Sequence, residues 1–390
     1  MENFRIFVIN SYFVAKMDFL TLKPEAFGLD ISDLSLKIIK LKKKRGRLTL
    51  ASFGETEIKP GIIKEGEIKD EKKLAEIIKD SLKKVKGEKL KTKYVVASLP
   101  EEKAFLQVIQ LPKMPPEDLK SAVIYEAENY IPLPIDQVYL DSQIVPPLYN
   151  HQDHFDVLLA AMPKKIVDPY LSSLKKAGLE PIALEIESLA ISRALIKNEV
   201  SPVPLLLIDL GATRTSFIIF SGHSLRFTSS IPVSSGSFTE IIAKNLRINL
   251  AEAERLKIKY GLEEKIKLRV KKDSFEKITE KARIFEALVP AMVDLIQQIK
   301  KHLDYYQSHT SHEHLPPNGN RVAKILLCGG GANLKGLTEL LALELKIPVQ
   351  LGNPWVNILP EGQKELSELP FEKSLGYTTA LGLALRGIKI

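Results

Sequence analysis

The chain has 390 residues, 45% apolar and 27% charged, with a net charge of +8 and one cysteine, Cys328. That length suggests about two to three domains, and the ordinary globular balance excludes wholesale disorder or a collagen-like chain. One cysteine excludes a disulfide framework or a cysteine-based zinc cluster, and no apolar run reaches the roughly 18 residues of a membrane-spanning helix.

In chain order, MENFRIFVINSYFVAK has almost no basic region, an apolar run split by Asn10 and Ser11, and no small-residue cleavage site. Residues 1–21 are therefore expected to be a flexible extension, with a short amphipathic membrane-touching segment as the alternative. AFGLD reads as a short strand ending in an acid. SDLSLKIIKLKKKRGRLTLASFGETEI reads as a hairpin and a further strand, with Gly46 at the turn tip. Residues 42–45 are read as a solvated turn rather than a nucleic-acid patch, because no aromatic residue interleaves for stacking. Leu74, Ile77, Ile78 and Leu82 have helical spacing, and the basic tract KKVKGEKLKTK ends that helix. From Tyr94 a strand-rich unit follows. Pro115, Pro116, Glu117 and Asp118 open a helix to about Tyr130, then come an extended stretch, the strand FDVLLAAMP and a helix capped by Gly178. Residues 94–184 are thus expected to be a separate α+β module. LLLID is a buried strand ending in a second acid, and LGATRTSFIIF returns from it. Helices are predicted near 236–248, 251–260, 281–308 and 334–345, and the glycine- and alanine-rich LGYTTALGLAL closes the chain. His309, His312 and His314 fall in a polar loop and are read as exposed rather than metal-binding.

FGLDISDLSLKIIKL and LLIDLGATRTSFIIF, about 180 residues apart, share the order apolar strand, Asp, short turn, returning strand. The repeat implies two homologous halves across a cleft. Each turn can offer backbone N–H groups to phosphate, and each Asp can hold a hydrated Mg²⁺. Gly329, Gly330 and Gly331 after a buried strand add a third loop.

These motifs, with LPKMPPEDLKSAVIYEAENYIPLPIDQVYLD, LEIESLAISRAL, NLAEAERLKIKYGL and LLCGGGANLKGL, resemble the actin-like ATPase superfamily, and within it the PilM family of type IV pilus assembly, related to FtsA. The resemblance implies an α/β, duplicated actin-like (ribonuclease H-like) fold with an inserted SHS2-type α+β subdomain. It divides the chain into half I at 22–93, the insert at 94–184, a return and linking helix at 185–202, half II at 203–375, and a C-terminal helix at 376–390 returning to half I. It implies binding of ATP with Mg²⁺, hydrolysis slow or absent, and a cytoplasmic scaffold at the inner face of the cytoplasmic membrane. The implied partner is the cytoplasmic tail of a PilN-like inner-membrane protein, with other pilus motor or platform proteins beside it and no nucleic acid. A small-molecule kinase of the same superfamily and an FtsA-like division protein are the alternatives; the missing catalytic-base constellation argues against the first, and the closing LALRGIKI, with no basic amphipathic helix, against the second.

On the resemblance, Asp30 and Asp209 hold Mg²⁺ through water, and Gly211, Ala212 and Thr213 form the second phosphate turn. Lys37 either reaches a phosphate or is a solvated strand lysine. Glu254 and Lys257 either grip the adenosine or form a surface ion pair. Gly330 and Gly331 would bare backbone beside the adenine, with Asn333 beginning the next helix. Glu185 or Glu187 would position water, or be a helix-start acid. The first turn departs from the family at Ser32, usually glycine, and Asp33 follows it; both are expected to crowd the phosphates. The prolines at 132 and 134 limit strand pairing, so pockets between Tyr130, Ile131, Leu133 and Ile135 can take an extended peptide, or else anchor the module to half I.

Overall fold

The computed structural model describes residues 25–148, 153–262, 280–309, 321–364 and 366–389. The extension expected at 1–21, and His312 and His314, lie outside these residues. The first half opens with β1 (Phe27–Ile31), β2 (Ser35–Lys44) and β3 (Arg47–Glu57), the short pair β4 (Ile63–Lys64) and β5 (Glu67–Ile68), α1 (Glu71–Lys83), β6 (Lys86–Gly87) and β7 (Tyr94–Leu99). Next come β8 (Phe105–Pro112), α2 (Pro116–Tyr130), β9 (Val138–Val145), β10 (His154–Pro163), α3 (Lys164–Lys176), β11 (Glu180–Ile186) and α4 (Glu187–Leu195). The second half holds β12 (Ser201–Leu210), β13 (Thr215–Gly222), β14 (Ser224–Ile231), α5 (Ser235–Leu246), α6 (Leu250–Tyr260), α7 (Glu280–His309), β15 (Lys324–Cys328), α8 (Leu337–Leu345), β16 (Val349–Leu351), α9 (Phe371–Ser374) and α10 (Thr378–Lys389).

The larger sheet runs β11-β7-β1-β2-β3-β6 and the second β14-β13-β12-β15-β16. In each, the strand carrying the acid pairs antiparallel with its returning hairpin strand and parallel with a later strand: β1 with β2 and β7, β12 with β13 and β15. The sequence repeat is therefore a structural repeat. β1 is buried along its whole length because helices cover both faces of its sheet. At the β2–β3 turn Arg45 and Gly46 both have positive φ, 52° and 78°, the geometry of a two-residue hairpin whose twist matches the strands.

The separate module is narrower than 94–184. Tyr94–Leu99 and Glu180–Ile186 pair with each other and β7 pairs with β1, so both belong to the first sheet, and α3 packs against α1. What stands apart is the three-stranded sheet β8-β10-β9 with α2 on it, around a core of its own. β7 looked like the start of a new unit because its parallel partners lie far away in sequence.

α10 packs on β1 and α4. The approach is close enough that a Cβ on Gly382 would lie 1.8 Å from the Ala190 carbonyl oxygen, which reserves that position for glycine. Among the described residues, no helix is long and apolar enough to cross a membrane.

Candidate functional site

The ends of β1 and β12 meet across a cavity of about 460 Å³ lined by both halves. Asp30, buried, and Asp209, half-buried, both line it, close enough for the Asp209 carboxyl to feel the charge of Asp30. Ser98 Oγ donates to Asp30 Oδ1 at 3.2 Å and accepts from Ile31 N at 2.8 Å, which fixes the end of β1. Lys37 lies directly opposite Asp30 in the β1–β2 register, so both point into the cavity. Its Nζ donates to Ser35 Oγ at 2.6 Å and sits 3.8 Å from Glu55.

Burial, then the charge of Asp30, raises the Asp209 carboxyl from 3.8 to about 6. Burial also raises Asp30, against the opposing pull of Lys37. Glu187 opens α4 at the same cavity, and burial followed by the charges of Asp30, Glu102 and Asp209 holds it well above the usual carboxylate range. Three acids thus converge with Lys37 facing them, an arrangement that a divalent cation would relieve.

The second turn is supported from behind. Gly211 N donates to Arg214 O at 2.9 Å, Ser235 N to Gly211 O at 2.9 Å and Gly236 N to Ala212 O at 3.0 Å. The first turn of α5 is therefore fastened to residues 211–212, leaving Ala212 and Thr213 exposed to the cavity. Arg214 reaches across to Glu102 at 2.5 Å, an ion pair between the halves. At the third loop, a Cβ on Gly329 would fall 2.3 Å from Asp209 Oδ1, whereas one on Gly330 would meet open space. Gly330 and Gly376 therefore present bare backbone to the cavity.

Asp30, Ser32, Lys37, Glu187, Asp209, Gly211, Ala212, Thr213, Gly330 and Asn333 all line this cavity. Others do not. Glu185 points away from it into a buried ion pair, its oxygens 2.5 and 2.6 Å from Arg193. It is a structural acid and not a water-positioning one. Gly331 backs onto Leu210. Asn333 precedes α8 by several residues and does not begin it; its Nδ2 donates to Glu372 O at 2.8 Å and Gly330 O at 3.3 Å, pinning the glycine loop to α9.

Glu254 and Lys257 lie outside the cavity wall and form the ion pair their spacing suggested, at 2.8 Å, with the carboxylate exposed but the ammonium buried. Lys257 is buried, and its Nζ donates to Ser235 O at 2.7 Å, Ser235 Oγ at 2.8 Å and Thr239 Oγ1 at 2.7 Å. It therefore holds the start of α5 that carries the second turn.

Ser32 and Asp33 line the cavity, but their polar atoms are already engaged within the chain. Ser32 N and Oγ both donate to Ser35 O, at 2.9 and 3.0 Å. Asp33 accepts from Glu65 N at 3.1 Å and Gly66 N at 2.9 Å, so its charge is spent on the β4–β5 turn.

The groove expected at residues 130–135 is closed. Ile131 is 6% exposed in the module's own core, Leu133 and Ile135 pack against it, and Tyr130 remains 44% exposed. These side chains anchor the end of α2 to its sheet. A different opening, of about 450 Å³, lies between the module (Gln143, Leu158), α4 (Leu189, Ser192) and the second half (Phe220, Leu225).

Sequence reading missed Glu102, Arg214 and Tyr170, whose hydroxyl donates to Gly66 O at 3.1 Å. They stand far apart in the chain with no spacing signal. Thr378 and Thr379 also line the cavity, and the GYTTALGLAL motif contains them.

A family model described as type IV pilus assembly protein PilM matches residues 28–388. The cell division protein FtsA of Pseudomonas aeruginosa is 26% identical over 224 residues, 55% of this chain and 50% of that protein. FtsA of Escherichia coli K12 is 22% identical over 230 residues, 57% and 51% of the two. The chain thus spans about half the length of the curated relatives it matches. A solved PilM–PilN type IV pilus biogenesis complex is 29% identical, with 94% of this chain and 99% of that one covered and a TM-score of 0.74. MreB5 of Spiroplasma citri bound to AMPPNP, 14% identical with coverage of 95% and 98% and a TM-score of 0.52, shares the actin-like fold.

Proposed function

The chain belongs to the type IV pilus assembly PilM family, and from that premise we propose that it is a nucleotide-responsive scaffold of pilus assembly, cytoplasmic and recruited to the inner membrane by a PilN-like protein. The observation that carries this reading is the pair of acids, Asp30 and Asp209, that line one cavity where the two halves of a duplicated fold meet.

The residues present fit a Mg²⁺–nucleotide group. Asp30 and Asp209 would hold the hydrated cation, the backbone of residues 211–213 and Lys37 the phosphates, and Gly330 with Gly376 would bare backbone to the base. When bound, the cation supplies the positive charge that lets both acids stay ionised. Burial, then the charges of Asp30, Glu102 and Asp209, raise the Glu187 carboxyl well above its usual range and disfavour its charged form.

The partner's tail is proposed to enter the second cavity. β9 is an edge of the three-stranded sheet there, so an extended segment can add main-chain hydrogen bonds while side chains enter between Leu158, Leu189 and Phe220. α4 contributes to both cavities, Glu187 to one and Leu189 and Ser192 to the other, and so connects them physically.

A fluorescent ATP analogue titrated with Mg²⁺ should bind the full chain and lose at least tenfold in Asp209→Ala. A peptide of the PilN-like tail should bind at micromolar strength, more tightly with Mg²⁺–ATP present. Unchanged nucleotide affinity in Asp209→Ala would overturn the cleft reading, and tail binding indifferent to nucleotide would overturn the switch.

A further inference from the structure

The fold brings two basic segments, separate in sequence, onto one edge of the first sheet. β3 carries the basic β2–β3 turn at one end, and further along it pairs with β6 at Ser52↔Gly87 and Phe53↔Lys86. Glu88 N donates to Ala51 O at 2.9 Å, and Ser52 Oγ donates to Glu88 O at 2.6 Å, so the tract after α1 is fastened alongside the strand. From Arg47 to Ser52 the strand rises roughly 17 Å, the span over which the two segments lie together. Their charges share one field. Lys42 pairs with Glu88, and Lys42 first, then Lys40 and Lys44, hold the Glu88 carboxyl below its usual range.

Residues 42–47 and 83–91 contain ten Lys and Arg and one acid, Glu88, whereas Lys93 beyond them leads into β7 and pairs with Glu180 on the far side of the sheet. The two tracts sum to +9 in a chain whose net charge is +8, so everything else sums to −1. The basic excess of the sequence is concentrated in these two tracts, with Lys83 paired to Asp80 at their margin. Lys43, Lys44, Arg45, Lys89 and Lys91 are exposed and have no ion-pair partner among the described residues. The patch offers no exposed stacking platform: Phe53 is buried beneath Lys86, Tyr94 after the second tract is half-buried with Lys93 over its ring, and the exposed tyrosines of the described residues, Tyr125, Tyr130 and Tyr305, are elsewhere.

A broad cationic edge without exposed aromatic side chains or a groove matches a laterally extended layer of phosphate headgroups better than a single nucleic-acid strand, whose binding draws on stacking against aromatic side chains. We propose that this edge docks the protein on an anionic lipid surface, an interaction separate from the nucleotide cleft and the partner cavity. It orients the first half toward the membrane and, being electrostatic, fades with salt.

The test is co-sedimentation of the full chain with phosphatidylcholine vesicles with and without phosphatidylglycerol. We expect binding to the anionic vesicles alone and release by 500 mM NaCl, roughly four times the ionic strength at which the Debye length is about 9 Å. Lys43→Glu/Lys44→Glu/Arg47→Glu should cut the partition at least tenfold, and Lys89→Glu/Lys91→Glu, on the other segment, should do so independently. Circular dichroism and unchanged fluorescent-ATP affinity check that both variants are folded. Equal binding to neutral vesicles, indifference to both reversals, or displacement from vesicles by duplex DNA at matched phosphate would overturn the proposal.

Discussion

Replacing Asp209 by asparagine should make the nucleotide-free protein more stable while removing nucleotide binding. The sign follows from the raised carboxyl. Asp209 titrates near 6 in the fold against 3.8 ordinarily, because burial of its carboxyl and the charge of Asp30 disfavour the ionised form. Between those values the folded state binds more protons than the unfolded chain, so this group's stability contribution is fully present below pH 3.8 and is lost as pH rises through 6. The loss at neutral pH is on the order of 3 kcal/mol, at about 1.4 kcal/mol for each tenfold change in proton affinity. Asparagine keeps the shape and carries no charge, so it avoids that loss. With an unfolding entropy of about 2.1 cal/mol/K per residue, 3 kcal/mol raises the midpoint of a chain this long by about 4 °C.

The assay is thermal unfolding of both proteins at pH 7.5 and pH 4, with and without Mg²⁺–ATP. At pH 7.5 the variant should melt higher without ligand and gain nothing from ligand, whereas the unsubstituted chain should gain in proportion to its saturation. At pH 4 the two should converge, because the native carboxyl is then protonated. A variant no more stable at pH 7.5, or equally favoured at both pH values, refutes the argument that the cleft holds strained charge awaiting a cation.

Glu185 and Glu187, two residues apart, should respond unequally in urea unfolding. Glu185→Ala strands Arg193, 7% exposed and held by that carboxylate at 2.5 and 2.6 Å, and should cost about 3–5 kcal/mol. Glu187→Gln removes a carboxyl whose charged form burial and the neighbouring acids already disfavour, and should cost much less; equal losses would erase the distinction between structural and cleft acid. Ser32→Gly should fail to tighten nucleotide binding, since the hydroxyl is turned back onto Ser35 and its loss removes a hydrogen bond of about 1 kcal/mol from the turn. A tenfold gain in affinity would show that Ser32 does crowd the phosphates.

What could be read in the sequence was local or self-repeating. The strand, acid, turn and returning strand recur in two segments, so the duplicated fold and the acids Asp30 and Asp209 were visible before any coordinates. The helices near 70–85 and 251–260 follow from apolar spacing, and the structure adds their caps, Asp70 accepting from Lys73 N and Asn249 from Glu252 N. What escaped depends on which distant segments pair. Strand alternation left the direction of Lys37 open, and the turn sets it directly opposite Asp30. Asp33 beside the phosphate turn looked repulsive, and only the β4–β5 turn, some thirty residues on, shows where its charge goes. Lys257 and Glu254 have the spacing of a surface pair, yet the packing of α6 on α5 buries the ammonium under the helix that carries residues 211–212. The same reason governs the electrostatics. A sequence gives a net charge of +8, but only the β3–β6 pairing brings together two tracts that sum to +9. Periodicity reports which face a residue occupies, and the long-range strand register determines what it meets there, which is why the acids were foreseeable and their partners were not.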